Sequence, residues 1–187
     1  MAKEHKEKKL KINRHNTAIK RSKLSAPTKW AMENGYIKGK IYDWGCGRGD
    51  DVNFLKEAGF DVIGYDPYYF PLNAPKYMKF DRFKTVTNNY VLNVIESKRE
   101  RTMLLKKIAG EISDNTTVVL SVRRPAAIDK SAKQKGWKTY KDGYITSTNT
   151  FQKGFTPEEI TKLCERFFEV LEIKKLSDGV ALILKKK

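Results

Sequence analysis

The sequence is poor in the side chains that bind transition metals or form disulfides. Two cysteines, Cys46 and Cys164, and two histidines, His5 and His15, occur in 187 residues. Neither pair has the spacing of a disulfide framework or a zinc site, so no structural disulfide and no metal centre are expected. No apolar run approaches the roughly 18 residues that read as a membrane span. No signal-peptide pattern opens the chain. The expectation is a soluble, cytoplasmic protein without membrane contact. Internal repeats are absent. Acidic residues are scarce as well: 22 Asp and Glu face 38 Lys and Arg, a formal net charge of +16.

The excess is unevenly spread. Residues 1–40 hold twelve basic and three acidic residues, and the chain ends in Lys185, Lys186 and Lys187. Such a surplus attracts phosphate backbones in a salt-dependent way, which makes nucleic acid the expected partner. A solubilising face with a loose tail is the plainer alternative. Residues 1–24 read as a basic arm, loose at its start. Residues 25–187 read as a single domain with a core of its own.

Along that domain, strand and helix signals alternate. "SAPTKWAMENG" predicts a short helix with Pro27 near its start and Gly35 at its end. "KIYDW" predicts a buried strand, followed by a helix that Asp50 caps and Gly59 ends. "DVIGYD" is the second strand. Pro67, Pro71 and Pro75 exclude a long helix after it, and a third strand is expected near Met78–Phe80. "FKTVTNN" is the fourth strand. Ser97 and Glu100 form a capping box for the next helix, which Gly110 stops. "TTVVLSV" is the fifth strand. Residues 123–155 read as a basic, irregular insertion on the substrate side, with a hairpin turning at Asp142-Gly143. Thr156, Pro157 and Glu159 open a helix whose apolar stripe includes Cys164, a core residue rather than a reactive one. "FEVLEIKKL" and "GVALIL" close the chain as a hairpin. The order implies an α/β, Rossmann-like fold: a mostly parallel seven-stranded sheet with an antiparallel C-terminal strand and helices on both faces. It is the arrangement of class I methyltransferases.

The loop "IYDWGCGRGDD" carries the most chemistry. Its glycines let the backbone bend and approach a ligand closely. A dinucleotide site wants G-x-G-x-x-G; here the third glycine comes one residue early, and Asp43 stands two residues before the first. An acid there repels a pyrophosphate but accepts from an ammonium group. The pattern D-x-G-x-G-x-G resembles motif I of the class I methyltransferases, which implies S-adenosylmethionine as cofactor. Asp43, Trp44, Gly45, Cys46, Gly47 and Gly49 are the expected contacts, with Asp66 on the ribose hydroxyls at the end of the second strand and Pro67 beside it. Cys46 reads as a small residue in a tight loop. Arg48 either pairs with Asp50 or reaches the substrate side. No metal is assigned.

After the fourth strand stands "NNYV". Asn88 and Asn89 supply amides that can hold a base amino group, and Tyr90 an aromatic face that can stack on the base. These three are the candidate catalytic residues; the alternative is a strand end that lines the cofactor pocket. No Pro-Cys pair is present, which argues against covalent carbon-5 methylation of cytosine. Lys20, Arg21, Arg123, Arg124, Trp137, Gln152 and Lys153 are the candidate substrate contacts, because cations interleaved with aromatics suit an unstacked base or a single strand.

Four stretches in the same order, "RHNTAIKRSKLSAPTKWAMENGYI", "YDWGCGRGDDVNFLKEAGFDVIGYDP", "NYVLNVIESKRER" and "TFQKGFTPEEI", resemble the DNA phosphorothioation-associated methyltransferases. The resemblance implies a methyl-donor site at Asp43, Gly45, Gly47 and Asp66. It also implies a role in DNA modification or defence, in a bacterial or phage-infected cell. The expected function is therefore methyl transfer to nucleic acid, a DNA base ahead of RNA. An RNA methyltransferase and a non-catalytic nucleic-acid-binding module that keeps the cofactor pocket are the alternatives.

Overall fold

A computed structural model of the protein describes residues 11–187. His5 and the first part of the expected arm, residues 1–10, lie outside the described residues. In chain order the domain builds α1 (Ala26–Glu33), β1 (Ile41–Trp44), α2 (Asp50–Glu57), β2 (Val62–Tyr65), β3 (Thr85–Asn89), α3 (Lys98–Glu111) and β4 (Thr117–Arg123). Then come α4 (Pro125–Lys135), β5 (Lys138–Tyr140), β6 (Gly143–Ile145), β7 (Phe151–Gln152), α5 (Pro157–Cys164), β8 (Phe168–Lys175) and β9 (Gly179–Lys186).

The main sheet has six strands in the order β2-β1-β3-β4-β9-β8. β1 pairs in parallel with both β2 and β3, and β3 with β4. β9 runs antiparallel between β4 and β8. This is the Rossmann-like methyltransferase fold with one strand fewer than expected. No strand forms near Met78–Phe80; residues 71–82 instead make three short 3-10 turns, at Pro71–Asn73, Pro75–Tyr77 and Phe80–Arg82. Pro71 and Pro75 lack the N–H groups that a ladder needs, which favours turns here.

Strand alternation divides the core into two layers. Tyr42, Val86, Val118, Leu120, Leu182 and Leu184 pack with Leu105 and Ile108 of α3 and Ile160 and Cys164 of α5. Ile41, Val119, Ala181 and Ile183 pack with Trp30 and Ala31 of α1 and Val52 and Leu55 of α2. Helices thus cover both faces, which is why these strands carry apolar residues on both sides. Ser97 caps α3 through the Glu100 N–H, and Thr156 caps α5 through the Glu159 N–H.

Three local expectations are corrected. Asp50 is not the cap of α2; Gly49 occupies that position, with φ 83°, and Asp50 is the first helical residue. Residues 123–155 are not irregular: they form α4 and a second, antiparallel sheet in the order β5-β6-β7. The hairpin between β5 and β6 turns at Lys141-Asp142, because Tyr140 and Gly143 already pair.

The second sheet is fastened by a buried charge cluster. Arg101 on α3, 2% exposed, gives one hydrogen bond to the Ile95 carbonyl at 2.9 Å and an ion pair to Asp142. Lys153, 7% exposed, pairs with Glu159 at 2.8 Å and lies 3.9 Å from Asp142. A buried guanidinium that loses its carboxylate keeps the desolvation cost without the attraction. Asp142→Ala should therefore destabilise the fold by about 3 kcal/mol. The double variant Arg101→Met/Asp142→Ala should recover most of that loss. Urea denaturation of the two proteins checks both values.

Candidate active site

The functional cleft opens at the carboxyl ends of β1, β2 and β3, where strand order reverses on either side of β1. In open α/β sheets that crevice is the usual ligand site. It has a volume of about 1600 Å³ and is lined at one end by Asp43, Trp44, Gly45, Cys46, Gly47, Asp66 and Pro67. These are seven of the eight expected cofactor contacts. The eighth, Gly49, lies outside the lining, where it starts α2 beneath the ring of Phe70.

The loop is pinned from below by Gly45 and Cys46, whose N–H groups both donate to the Tyr65 carbonyl, at 2.7 and 3.0 Å. Gly45 has φ 93°, and a Cβ there would stand 2.3 Å from Val91 Cγ2. Only glycine combines that backbone with that proximity.

Asp43 and Asp66 bring the charge. Asp43 sits on the face of β1 that looks towards α1 and α2, is 4% exposed, and accepts a 2.7 Å hydrogen bond from Thr87 Oγ1. Burial above all, then the charge of Asp51, pushes its pKa up to about 7; the Thr87 hydrogen bond pulls it back, and Asp66 adds a smaller push upward. Among the described residues no Lys or Arg forms an ion pair with it. Such a carboxylate favours a cationic ligand. At the end of β2, Asp66 uses Oδ1 to accept from the N–H groups of Tyr68, at 2.9 Å, and Tyr69, at 3.2 Å. That turn holds the carboxylate at the cleft wall.

The arm departs most from expectation. Residues 12–26 run along the cleft as a strap. At one end the Asn13 N–H donates to the Asn149 carbonyl at 2.8 Å, and Arg14 pairs with Glu96 and Glu100 at 2.8 and 2.6 Å. His15 stacks flat on Tyr68 with centroids 4.0 Å apart. Arg48 does not pair with Asp50; it lines the cleft, and its Nε donates to the Ala18 carbonyl at 3.0 Å. At the other end the Arg21 N–H donates to Asp50 Oδ2 at 2.6 Å and the Ser25 N–H to Asp51 Oδ1 at 2.8 Å.

β3 delivers the residues opposite. Its period of two separates Asn88 from Asn89. Asn88 is fully buried, donates to the Trp44 carbonyl at 2.7 Å, and does not line the cleft. Asn89 and Tyr90 do line it. The Asn89 amide is oriented by a chain of partners. Asp51 only accepts, so the Thr28 hydroxyl donates to it at 2.8 Å and accepts from Asn89 Nδ2 at 3.0 Å. That leaves Asn89 Oδ1 towards Ser121 Oγ, which donates at 2.8 Å. Tyr90 holds a left-handed backbone, φ 60°, secured by its N–H to the Ser121 carbonyl at 2.9 Å. A positive φ on an aromatic residue is uncommon and concentrates at functional sites.

Among the expected substrate contacts, Lys20, Arg21, Arg123, Trp137 and Gln152 line the cleft; Arg124 and Lys153 do not. Arg124 donates to the Ser177 carbonyl at the β8–β9 turn, and Lys153 belongs to the charge cluster under the second sheet. Sequence reasoning missed Thr28, Asp51, Thr87 and Ser121. The period of two in β3 is a signal for Thr87, since it puts Thr87 and Asn89 on one face. Among the described residues there is no cluster of three or more His, Cys, Asp or Glu suited to a metal, and no helix long and apolar enough to cross a membrane.

The family described as "Methyltransferase domain" matches residues 12–173. No curated protein matches the sequence significantly. Among solved structures, the fold is similar to that of a Pyrococcus horikoshii OT3 protein, with TM-score 0.66, 13% identity and coverage of 85% of this chain and 87% of that one. A S-adenosylmethionine-dependent methyltransferase of Methanosarcina mazei gives TM-score 0.64 at 16% identity, covering 83% and 96%. The 1,6-didemethyltoxoflavin-N1-methyltransferase of Burkholderia thailandensis, solved with 1,6-didemethyltoxoflavin and S-adenosylhomocysteine, gives 0.63 at 14%, covering 86% and 76%. At such identities the likeness is one of fold.

The raised pKa of Asp43 makes a measurable demand on stability. Between about pH 4 and pH 7 the folded protein keeps a proton that the unfolded chain has lost, so stability falls as pH rises through that window. Asp43→Asn keeps an acceptor for Thr87 and removes the buried charge. The variant should be more stable than the parent at pH 8. Its advantage should shrink by up to about 1.4 kcal/mol per pH unit as pH drops from 7 to 4. Denaturation curves across that range read the effect.

Proposed function

The chain belongs to the methyltransferase-domain family and is an S-adenosylmethionine-dependent methyltransferase; we propose that its acceptor is a nucleic-acid base, DNA ahead of RNA. The residues present fit the donor. Asp43 offers a buried carboxylate, without a basic partner among the described residues, for a cationic amino group. Gly45, at φ 93° and packed against Val91, gives the tight turn that carries the loop past the end of β1, where no side chain fits. Asp66 has one oxygen committed to its own turn, which leaves the other available to accept from the donor's ribose hydroxyls. The bound donor supplies an electrophilic methyl group on a sulfonium centre.

The observation that carries the acceptor is the set of cations and aromatic rings lining the cleft. There Lys20, Arg21, Lys135 and Arg123 share one cavity with Tyr90 and Trp137. Cations that follow a backbone and aromatic faces that receive bases are the combination single-stranded nucleic acid requires. The sequence resemblance to the DNA phosphorothioation-associated methyltransferases points to DNA. Asn89 is placed to accept from a base amino group: its amide is already oriented, and its carbonyl oxygen keeps a second lone pair beside the Ser121 hydrogen bond. Tyr90 positions the ring of the base. These residues hold the acceptor nitrogen in line and exclude water; no strong base is needed, because the nitrogen can lose its proton after transfer. A small-molecule acceptor is the second reading. It is favoured by the strap along the cleft and by the name of the Burkholderia neighbour.

Methyl incorporation from labelled donor into separate DNA, RNA and small-molecule pools, followed by nucleoside mass spectrometry, tests the acceptor. Label confined to the small-molecule pool would overturn the nucleic-acid reading. Asn89→Ala should lower turnover about 10²-fold with little change in donor affinity, the scale of removing one positioning hydrogen bond. Asp66→Ala should instead weaken donor binding by about 1.5–3 kcal/mol. Because Asp43 must be ionised to pair with a cation, affinity for S-adenosylhomocysteine should fall by up to about tenfold per pH unit below pH 7. Calorimetry at several pH values reads that slope.

A further inference from the structure

Two guanidinium groups converge on Tyr90, one from the strap and one from the end of β4. Arg21 places Cζ 5.7 Å from the Tyr90 ring centroid, and its backbone is fixed there by the hydrogen bond to Asp50. Arg123 reaches the same cleft with a side chain 31% exposed. Its backbone is held on both sides: the N–H donates to Asn93 Oδ1 at 3.0 Å, and the carbonyl accepts from the Phe155 N–H at 2.8 Å. Both cations act on the Tyr90 hydroxyl, working against the rise that burial imposes on its pKa. The Tyr90 ring in turn lies against Gly179, where a Cβ would come within 3.4 Å of Cε1.

Arg123 is the more telling of the two. Its Nε is buried and has no hydrogen-bond partner among the described residues. The nearest acid is Asp178, 3.8 Å away and 48% exposed, too far for a hydrogen bond. A buried charged donor left unused is costly and rare, which marks it as a group waiting for an acceptor. Guanidinium groups match the geometry of a phosphate with two parallel N–H donors. Asp178 and Asp51 act on the Tyr90 hydroxyl in the opposite sense to the two arginines, but neither carboxylate forms a hydrogen bond with the Arg123 Nε.

We propose that Arg21 and Arg123 together bind one phosphate group of the acceptor, beside the ring of Tyr90. The assignment rests on the nucleic-acid reading only for the source of that phosphate, which is either a strand backbone or a small phosphorylated acceptor. Tyr90 then separates the phosphate from the reacting group and sets the distance between them.

The test uses the full chain saturated with S-adenosylhomocysteine. Two probes are titrated: a fluorescein-labelled 12-nucleotide single-stranded DNA and inorganic pyrophosphate. Arg21→Gln/Arg123→Gln should lower affinity for both probes at least about tenfold, as expected when two charge-assisted hydrogen bonds are removed. It should also flatten the log–log salt slope for the DNA by about 0.7 for each phosphate no longer neutralised. Arg21→Lys/Arg123→Lys, which keeps charge but not the paired donors, should fall in between. Lys106→Gln/Lys162→Gln removes equal charge from exposed positions outside the cleft and controls for the general field. Thermal melts confirm that each variant is folded. If the parent binds the DNA and the glutamine pair does no worse than the control, the subsite is wrong while the nucleic-acid reading stands. If the parent binds only pyrophosphate and the glutamine pair abolishes it, the subsite stands with a small phosphorylated acceptor. If the parent binds neither probe, both fall.

Discussion

Asp51 is the tie on which the site depends. One carboxylate in the first turn of α2 accepts from the Ser25 N–H, the Ser25 hydroxyl and the Thr28 hydroxyl. Through Thr28 the chain of hydrogen bonds runs on to Asn89 and Ser121 at the ends of β3 and β4. The strap, α1, the glycine-loop helix and two central strands are thus joined at one acid. Its place in the chain helps: a carboxylate in the first turn of a helix also meets the positive end of the helix dipole. Asp50, one residue earlier, does the same for Arg21.

The cleft carries both signs of charge. Asp43, Asp50, Asp51 and Asp66 line it, and so do Lys20, Arg21, Arg48, Arg123 and Lys135. The two signs meet where the Arg21 N–H donates to Asp50. The acids suit a donor that carries positive charge and no phosphate. The cations suit an acceptor that carries the opposite. Asp43 forms no ion pair among the described residues and so retains a reason to bind a cation.

Much of this could be read from the residues alone. The glycine loop, the strand acids and both side-chain helix caps were legible because each depends on local chemistry at fixed spacing. The packed strap was not. Lys20 and Arg21 read as substrate contacts on a loose basic arm, whereas what fastens the segment is mainly backbone N–H groups of Asn13, Arg21 and Ser25, which sequence patterns do not display. α4 was hidden for a different reason. Pro125 at its start and Gly136 after its end, with φ 61°, are proper boundary signals, but the helix buries only Ile128 and Ala132 and so lacks a clear stripe. Asn88 was grouped with Asn89 by adjacency, although alternation along β3 sends them to opposite faces. The unformed strand near Met78 was legible in hindsight, since Pro71 and Pro75, taken to exclude only a long helix, also lack the N–H groups a ladder needs.

That unformed strand makes β2 the outer edge of the sheet, and edges are where one chain can recruit another. β2 is only four residues long, and the side-chain amide of Asn73 occupies its Gly64 carbonyl at 2.7 Å. At the opposite edge, β8 carries Glu169, Glu172, Lys174 and Lys175 and breaks its register between Val170 and Glu172. Both borders are therefore poor templates for intermolecular strand addition. A protein with Leu72 and Tyr77 open to solvent beside one of them, 84% and 63% exposed, gains protection against aggregation from the geometry of its edges as well as from their charge.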